Sequence, residues 1–270
     1  MPLLRFICVN FDGADHTERL LASVAGQDGV SGEFSIDCII VDNSTIAARA
    51  RECERVVACY PFAKYIKAEA NLGYFNGLNC GLATTMPGTP SFVVICNNDL
   101  RFDAEFCQML LRKSYPQNAL AICPDVVTMS GFHQNPHILT RINWLRRLQF
   151  DLYFSHFRVS RFMAGIVRLL RRRNSERPRP AAGCELHMGV GACYVLTAEF
   201  LARFKTLHFP FFLYGEEAFF SEQIHSSGGV LWFDPDLHVT HEESASLSLV
   251  PNRAAYEFAR RGYPVYRRLM

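Results

Sequence analysis

Three short polar clusters follow directly on apolar, strand-like runs. They are Asn10-Phe11-Asp12 after residues 6–9, Asp42-Asn43-Ser44 after 36–41, and Asn97-Asn98-Asp99 after 91–96. In an open parallel sheet, ligands bind beyond the carboxyl ends of the strands. Carboxylates and carboxamides gathered there can hydrogen-bond a sugar or a base, or surround a metal-bound diphosphate. One Asx cluster is also what an ordinary turn or helix cap uses; three in succession point to a site. Asp99 is the metal-ligand candidate, because a hard carboxylate oxygen suits Mg²⁺ or Mn²⁺. Asp103 is expected to cap the helix that follows, which leaves Asp99 for the ion. Asp42 can accept from the N3–H of a pyrimidine, with Asn10 and Asn71 adding hydrogen bonds around base and ribose.

The elements that must position these clusters are legible over the first 125 residues. Strands are expected at 6–9, 36–41, near 65–67 and at 91–96, with helices at 17–25, 47–58, 75–85 (broken by Pro87-Gly88) and 103–111. The nearly all-apolar run 36–41 suits a strand covered on both faces. This alternation predicts an α/β fold with a mostly parallel sheet flanked by helices. Later segments read as strands at 191–196 and 230–233 and helices at 216–226 and 254–267. A length of 270 residues is compatible with one elaborated domain, 1–270.

Composition narrows the function classes. Hydrophobic residues at 49% and charged residues at 20% exclude wholesale disorder, and a net charge of +2 is too balanced for a surface given over to nucleic acid. The ten cysteines form no C-x-x-C pair and several lie inside apolar runs, which disfavours a zinc ribbon or a disulfide scaffold. The N-terminus enters a strand-like run without signal-peptide architecture, and no stretch approaches the ~18–20 apolar residues of a membrane span. A cytoplasmic protein is expected, with peripheral attachment to the inner face of the cell membrane open.

Residues 131–180 differ from the rest. Between Arg141 and Arg179 lie eleven arginines against only Asp151 and Glu176, interleaved with Trp144, Leu145, Leu148, Phe150, Leu152, Phe154, Phe157, Phe162 and Ile166. One or two basic amphipathic helices are expected, ending at Arg171-Arg172-Arg173 and a Pro-rich linker. Three readings fit this insert: attachment to an anionic membrane surface through residues 141–179, nucleic-acid binding, or a helical pair folded over the site. The membrane surface is the economical choice among them.

Val41-Asp42-Asn43-Ser44, then Asn71-Leu72-Gly73-Tyr74-Phe75-Asn76-Gly77-Leu78-Asn79, then Ile95-Cys96-Asn97-Asn98-Asp99 resemble three successive signatures of glycosyltransferase family 2, of GT-A fold, and of its rhamnosyltransferase-like branch. Gly191-Ala192-Cys193, Phe211-Phe212-Leu213-Tyr214-Gly215-Glu216-Glu217, and Val239-Thr240-His241 with Ser244 and Ser246 continue the likeness in order, over roughly 5–125 and 185–250. The resemblance implies a GT-A-like sheet and donor contacts from Asn10, Asp42, Asn43, Asn71, Gly73, Asn76, Asn97 and Asn98. It implies metal ligation by Asp99 and His241, and a catalytic base at Glu217 or Glu216. The implied reaction is metal-dependent, inverting transfer of a hexosyl or rhamnosyl group. The donor would be a UDP- or dTDP-sugar and the acceptor a saccharide or lipid-linked saccharide, in bacterial-type surface polysaccharide synthesis. The pattern departs in Glu217, where Asp is usual, and in Phe219, where another Asp is usual; both bear on the acceptor.

Two other classes fit the residues less well. A nucleotidyltransferase would need a Gly-rich, Arg/Lys-bearing loop after the first strand, which Asn10-Phe11-Asp12-Gly13-Ala14-Asp15 does not supply. A nucleic-acid-binding module would rest on the insert alone, and the insert carries no recognisable binding motif, so no nucleic-acid partner is expected.

Overall fold

The computed structural model describes residues 1–28, 32–86, 90–171, 180–242 and 253–269. The Pro87-Gly88 break, Arg172, Arg173 and the Pro-rich linker beyond them, and Ser244 and Ser246 lie outside the described residues.

The N-terminal half alternates as expected: β1 (Leu3–Asn10), α1 (Ala14–Ala25), β2 (Ser35–Asp42), α2 (Ala47–Ala58), β3 (Ala63–Lys67), α3 (Tyr74–Leu82) and β4 (Phe92–Asn97). Then come β5 (Leu100–Phe102), α4 (Phe106–Arg112), β6 (Ala119–Thr128), α5 (Trp144–Ser155), α6 (Phe157–Arg171), β7 (Cys184–Leu186), β8 (Cys193–Thr197), α7 (Ala198–Arg203), α8 (Glu216–Ser226), β9 (Val230–His241) and α9 (Arg253–Tyr266).

The sheet runs β3-β2-β1-β4-β8-β6-β9-β5, with β7 also on β9. It is parallel from β3 to β4, as expected. Beyond β4 it is mixed: β8 is antiparallel to both β4 and β6, β6 is parallel to β9, and β5 and β7 are antiparallel to β9. Strand alternation divides the core between two faces. Ile7, Ile39, Val41, Val93 and Ile95 pack with Phe75 and Leu78 of α3 and Phe220 and Ile224 of α8. Leu4, Phe6, Cys38, Ile40, Val94 and Cys96 pack with Leu20 and Leu21 of α1, Val57 of α2 and Leu110 of α4. The result is a helix–sheet–helix sandwich.

The order in which strands are added reverses at β1: β2 and β3 extend to one side of it, while β4 joins its other side, all four running parallel. That switch point leaves a crevice at the strand carboxyl ends. Asn10, Asp42 and Asn97 are the last residues of β1, β2 and β4.

Several elements differ from expectation. α4 begins at Phe106, with Glu105 at the cap position and no side-chain cap bond. Asp103 contributes its carbonyl, which accepts from Phe106 N–H at 3.0 Å, so it is a turn residue and not the helix cap. β6 was hidden by Pro124 and Asp125 in its middle, residues that sequence reasoning places outside strand interiors. The structure accommodates them at a register shift between Pro124 and Asp125. β9 runs through Asp234 and Pro235 to His241, beyond the stop expected at 233. The buried Asp234 is matched by Lys113 Nζ at 2.5 Å and by the Tyr115 hydroxyl, which donates at 2.8 Å. The last strand thereby delivers His241 to the site.

Candidate active site

At the carboxyl end of β1, the Asn10 carboxamide ties three strands together. Its Nδ2 donates to Asp42 Oδ1 at 2.8 Å, and its Oδ1 accepts from Asn98 Nδ2 at 3.0 Å, Thr17 Oγ1 at 3.1 Å and the Gly13 N–H at 3.2 Å. Both Asn10 and Asp42 are fully buried. Asp42 Oδ1 also accepts from the Ser44 hydroxyl at 2.6 Å and the Ser44 N–H at 3.1 Å, and Oδ2 accepts from the Tyr65 hydroxyl at 2.7 Å. Burial pushes the Asp42 carboxyl up, but the hydrogen bonds from Ser44, Tyr65 and Asn10 outweigh it and hold the group below the usual carboxylate range. Asp42 is thus an enclosed anion that fixes the crevice floor.

Two other buried oxygens at the same strand ends, Asp12 Oδ1 and Asn43 Oδ1, find no hydrogen-bond donor among the described residues. Asp12 has a positive φ of 53°, and its N–H donates to Ser44 Oγ at 3.0 Å. Asn43 Nδ2 donates to the Gly73 carbonyl at 2.8 Å. Buried acceptors of this kind are costly unless a ligand supplies the donor. Asn71, Asn76, Asn97 and Asn98 are half-buried at the same end, and Asn71 Oδ1 accepts from the Gly73 N–H at 3.0 Å.

Gly73 has φ of 80°, and the space where its Cβ would stand is filled by the carbonyl of Phe212. The Asn71–Asn79 motif and the aromatic loop before Glu216 are therefore in direct contact. The chemistry requires glycine here on both counts.

Asp99 Oδ1 lies 3.2 Å from His241 Nε2. His241 is held from its other side by Gln134, whose Oε1 is 2.8 Å from Nδ1. An amide oxygen only accepts, so Nδ1 carries the proton and Nε2 faces Asp99. As an imidazolium it ion-pairs with the carboxylate. As a neutral base it converges with Asp99 on a shared position, an arrangement that suits a cation. Among the described residues no group of three or more His, Cys, Asp or Glu could hold a metal by itself. A divalent ion at this pair would take its remaining ligands from diphosphate oxygens and water, as Mg²⁺-type sites commonly do.

Glu216 and Glu217 open α8, where carboxylates favour the helix dipole, yet their surroundings differ. Glu216 is buried, and burial together with the neighbouring Glu217 charge pushes its carboxyl up to about 8. Glu217 is half-buried, and its Oε1 accepts from the Gly191 N–H at 3.3 Å. A Cβ on Gly191 would stand 2.8 Å from that oxygen, so glycine is needed for the approach. The next residue, Ala192, accepts from the Asn97 N–H at 2.9 Å. Two adjacent backbone groups thus connect Glu217 to the Asn97-Asn98-Asp99 turn. Phe219 is buried in edge-on contact with Phe209 at 5.5 Å and Phe211 at 5.8 Å. An aspartate there would lose its water.

Sequence reasoning missed Tyr65, Gln134 and Glu242. Glu242 N–H donates to the Asp99 carbonyl at 2.9 Å. Its carboxylate takes Arg19 Nε at 2.8 Å, contacts Arg101, and lies 3.2 Å from His16 Nδ1. Burial raises the Glu242 carboxyl, but the arginines outweigh it and keep it below its ordinary value. The only sequence signal was an acid directly after His241.

Residues 6–177 match the family model described as Glycosyl transferase family 2. No curated protein matches the sequence. Among solved structures, the chain is similar to the mannosyltransferase PcManGT from Pyrobaculum calidifontis, solved in complex with GDP-Man and Mn²⁺. The TM-score is 0.56 at 14% identity, covering 96% of this chain and 60% of that one. It is also similar to GalNAc-T7, solved with UDP, GalNAc and Mn²⁺, with a TM-score of 0.61 at 11% identity, covering 90% of this chain and 44% of that one. The chain therefore spans less than two thirds of either neighbour, and the likeness establishes the GT-A-type fold.

Proposed function

This chain belongs to glycosyl transferase family 2, and we propose that it moves a sugar from a nucleoside-diphosphate sugar to an acceptor hydroxyl, with inversion at the sugar carbon. The observation that carries this reading is the convergence at one sheet end. The Asn10–Asp42–Asn98 network, the Asp99–His241 pair and Glu217 are joined through consecutive backbone contacts.

The crevice at the β1/β4 switch point receives the nucleotide, with Asn43, Asn71, Asn76, Asn97 and Asn98 available to base, ribose and sugar hydroxyls. Asn10 and Asp42 hold those strand ends in register, and the unmatched oxygens of Asp12 and Asn43 accept from the donor. Asp99 and His241 would hold the divalent ion. That ion, Mg²⁺ or Mn²⁺, would neutralise charge on the departing diphosphate; both structural neighbours contain Mn²⁺.

Glu217 is the general base. Burial and the neighbouring Glu217 charge push the Glu216 carboxyl up to about 8, which favours its protonated form and leaves the half-buried Glu217 to accept the proton. The Gly191 N–H orients Glu217 toward the acceptor hydroxyl, and the aromatic loop of Phe211, Phe212 and Tyr214 forms the acceptor-side wall. By resemblance of its motifs to the rhamnosyltransferase-like branch, the donor is a UDP- or dTDP-sugar and the acceptor a saccharide or lipid-linked saccharide of a surface polysaccharide.

A thermal-shift panel of UDP-, dTDP- and GDP-sugars, with and without Mn²⁺, tests this. A ligand that binds the folded but not the unfolded chain stabilises it by RT ln(1 + [L]/Kd) and so raises the melting temperature. Metal-dependent stabilisation by at least one nucleotide sugar is expected. None across the panel would overturn the reading.

A further inference from the structure

α5 is apolar on both its inner and its outer face. Its inner face is aromatic: Phe154 stacks on Tyr263 of α9 at 4.4 Å and on Tyr256 at 6.0 Å, while Asp151 accepts from the Tyr263 hydroxyl at 2.6 Å and pairs with Arg267. Its outer face is apolar too. Trp144, Leu145, Leu148 and Leu152 are 71%, 52%, 58% and 53% exposed. At about 100° per residue these four fall within an arc of about 100°, one continuous stripe along the helix. α6 adds Phe162 and Ile166, 71% and 43% exposed.

The charge around the stripe is one-sided. From residue 141 to 171 the sequence has seven arginines, no lysine and a single acid, Asp151, already engaged by Arg267. Arg141, Arg146, Arg158 and Arg161 are exposed. A solvent-facing apolar stripe accompanied by exposed arginines fits a surface that is itself apolar beneath an anionic layer. No helix of the described residues is long and apolar enough to cross a membrane.

We propose that α5 and α6 form a docking surface for an anionic lipid bilayer, with the Trp144–Leu152 stripe entering the headgroup region and the exposed arginines on lipid phosphates. The helix pair is tied to the catalytic end through α9. Tyr266 packs on Gly215 directly before Glu216, and Phe212 packs on Phe258 at 5.6 Å. Docking would therefore hold the acceptor-side loop near the membrane surface. The docking itself is independent of the donor chemistry proposed above; only its use for a membrane-borne acceptor rests on that reading.

The test is co-sedimentation of the full chain with phosphatidylcholine vesicles and with mixed phosphatidylcholine–phosphatidylglycerol vesicles across salt, alongside tryptophan emission in a W232F background, which leaves Trp144 as the reporter. Binding to the mixed vesicles with a blue shift is expected, weakening but not vanishing as the Debye length falls below ~8 Å. Each arginine at such a surface contributes about fivefold (about 1 kcal/mol), so R146Q/R158Q/R161Q should weaken binding by on the order of a hundredfold. L148S/L152S should abolish the blue shift. Both variants are exposed substitutions and should melt like the parent. Equal binding to neutral and anionic vesicles, or none to either, overturns the proposal. So does a dimer in light scattering that L148S/L152S dissolves, or a salt-sensitive nucleic-acid shift without vesicle binding.

Discussion

Asp99 Oδ1 and His241 Nε2 stand 3.2 Å apart at the meeting of the turn after β4 and the end of β9. They are brought together by the backbone: Glu242 N–H donates to the Asp99 carbonyl, and Leu100 of β5 pairs with His241. The late histidine is therefore placed by sheet register, and its ring is oriented by Gln134.

Gln134→Leu tests that orientation. Without the acceptor on Nδ1, the imidazole loses its fixed tautomer, and loss of such an outer partner typically lowers metal affinity 10–100-fold. Calorimetry should show Mn²⁺-dependent UDP binding reduced by about that factor. Any metal-independent UDP affinity should be unchanged.

Glu217→Gln should leave donor binding intact and lower transfer by roughly 10² to 10⁴, the usual cost of removing a general base. Initial-rate measurements with donor affinity measured in parallel check it. Retained turnover in Glu217→Gln, with collapse in Glu216→Gln, would move the base one residue back.

The Glu216 carboxyl predicts a pH dependence of stability. Its folded pKa, about 8, is raised above the ordinary glutamate value of ~4.3. Below the unfolded value its contribution to stability is fully present. As pH rises from about 4.3 toward 8 the unfolded chain gives up a proton that the folded chain keeps, and stability falls. Melting curves of Glu216→Gln against the parent should therefore diverge over this window, with the variant progressively the more stable toward pH 8. Parallel curves would place Glu216 in contact with water.

Much of this was legible in the sequence, because the first half of the chain obeys local rules. Apolar runs ending in Asx clusters predicted β1, β2 and β4 and placed Asn10, Asp42 and Asn97 at their ends. Beyond β4, tertiary contacts decide more. Pro124 hides β6, and the salt-bridged Asp234 hides the continuation of β9. Asp103 looked like a helix cap by composition, but α4 starts three residues later. The enclosure of Asp42 by Tyr65 and the orientation of His241 by Gln134 depend on residues distant in sequence, for which no local pattern exists.

The most direct measurement is calorimetry of UDP binding to the parent and to Asp99→Asn, with Mn²⁺ and with chelator, at matched melting temperatures. The account predicts metal-dependent binding in the parent, and loss of the metal-dependent component in the variant with its fold retained. Metal-dependent affinity unchanged in Asp99→Asn would contradict it.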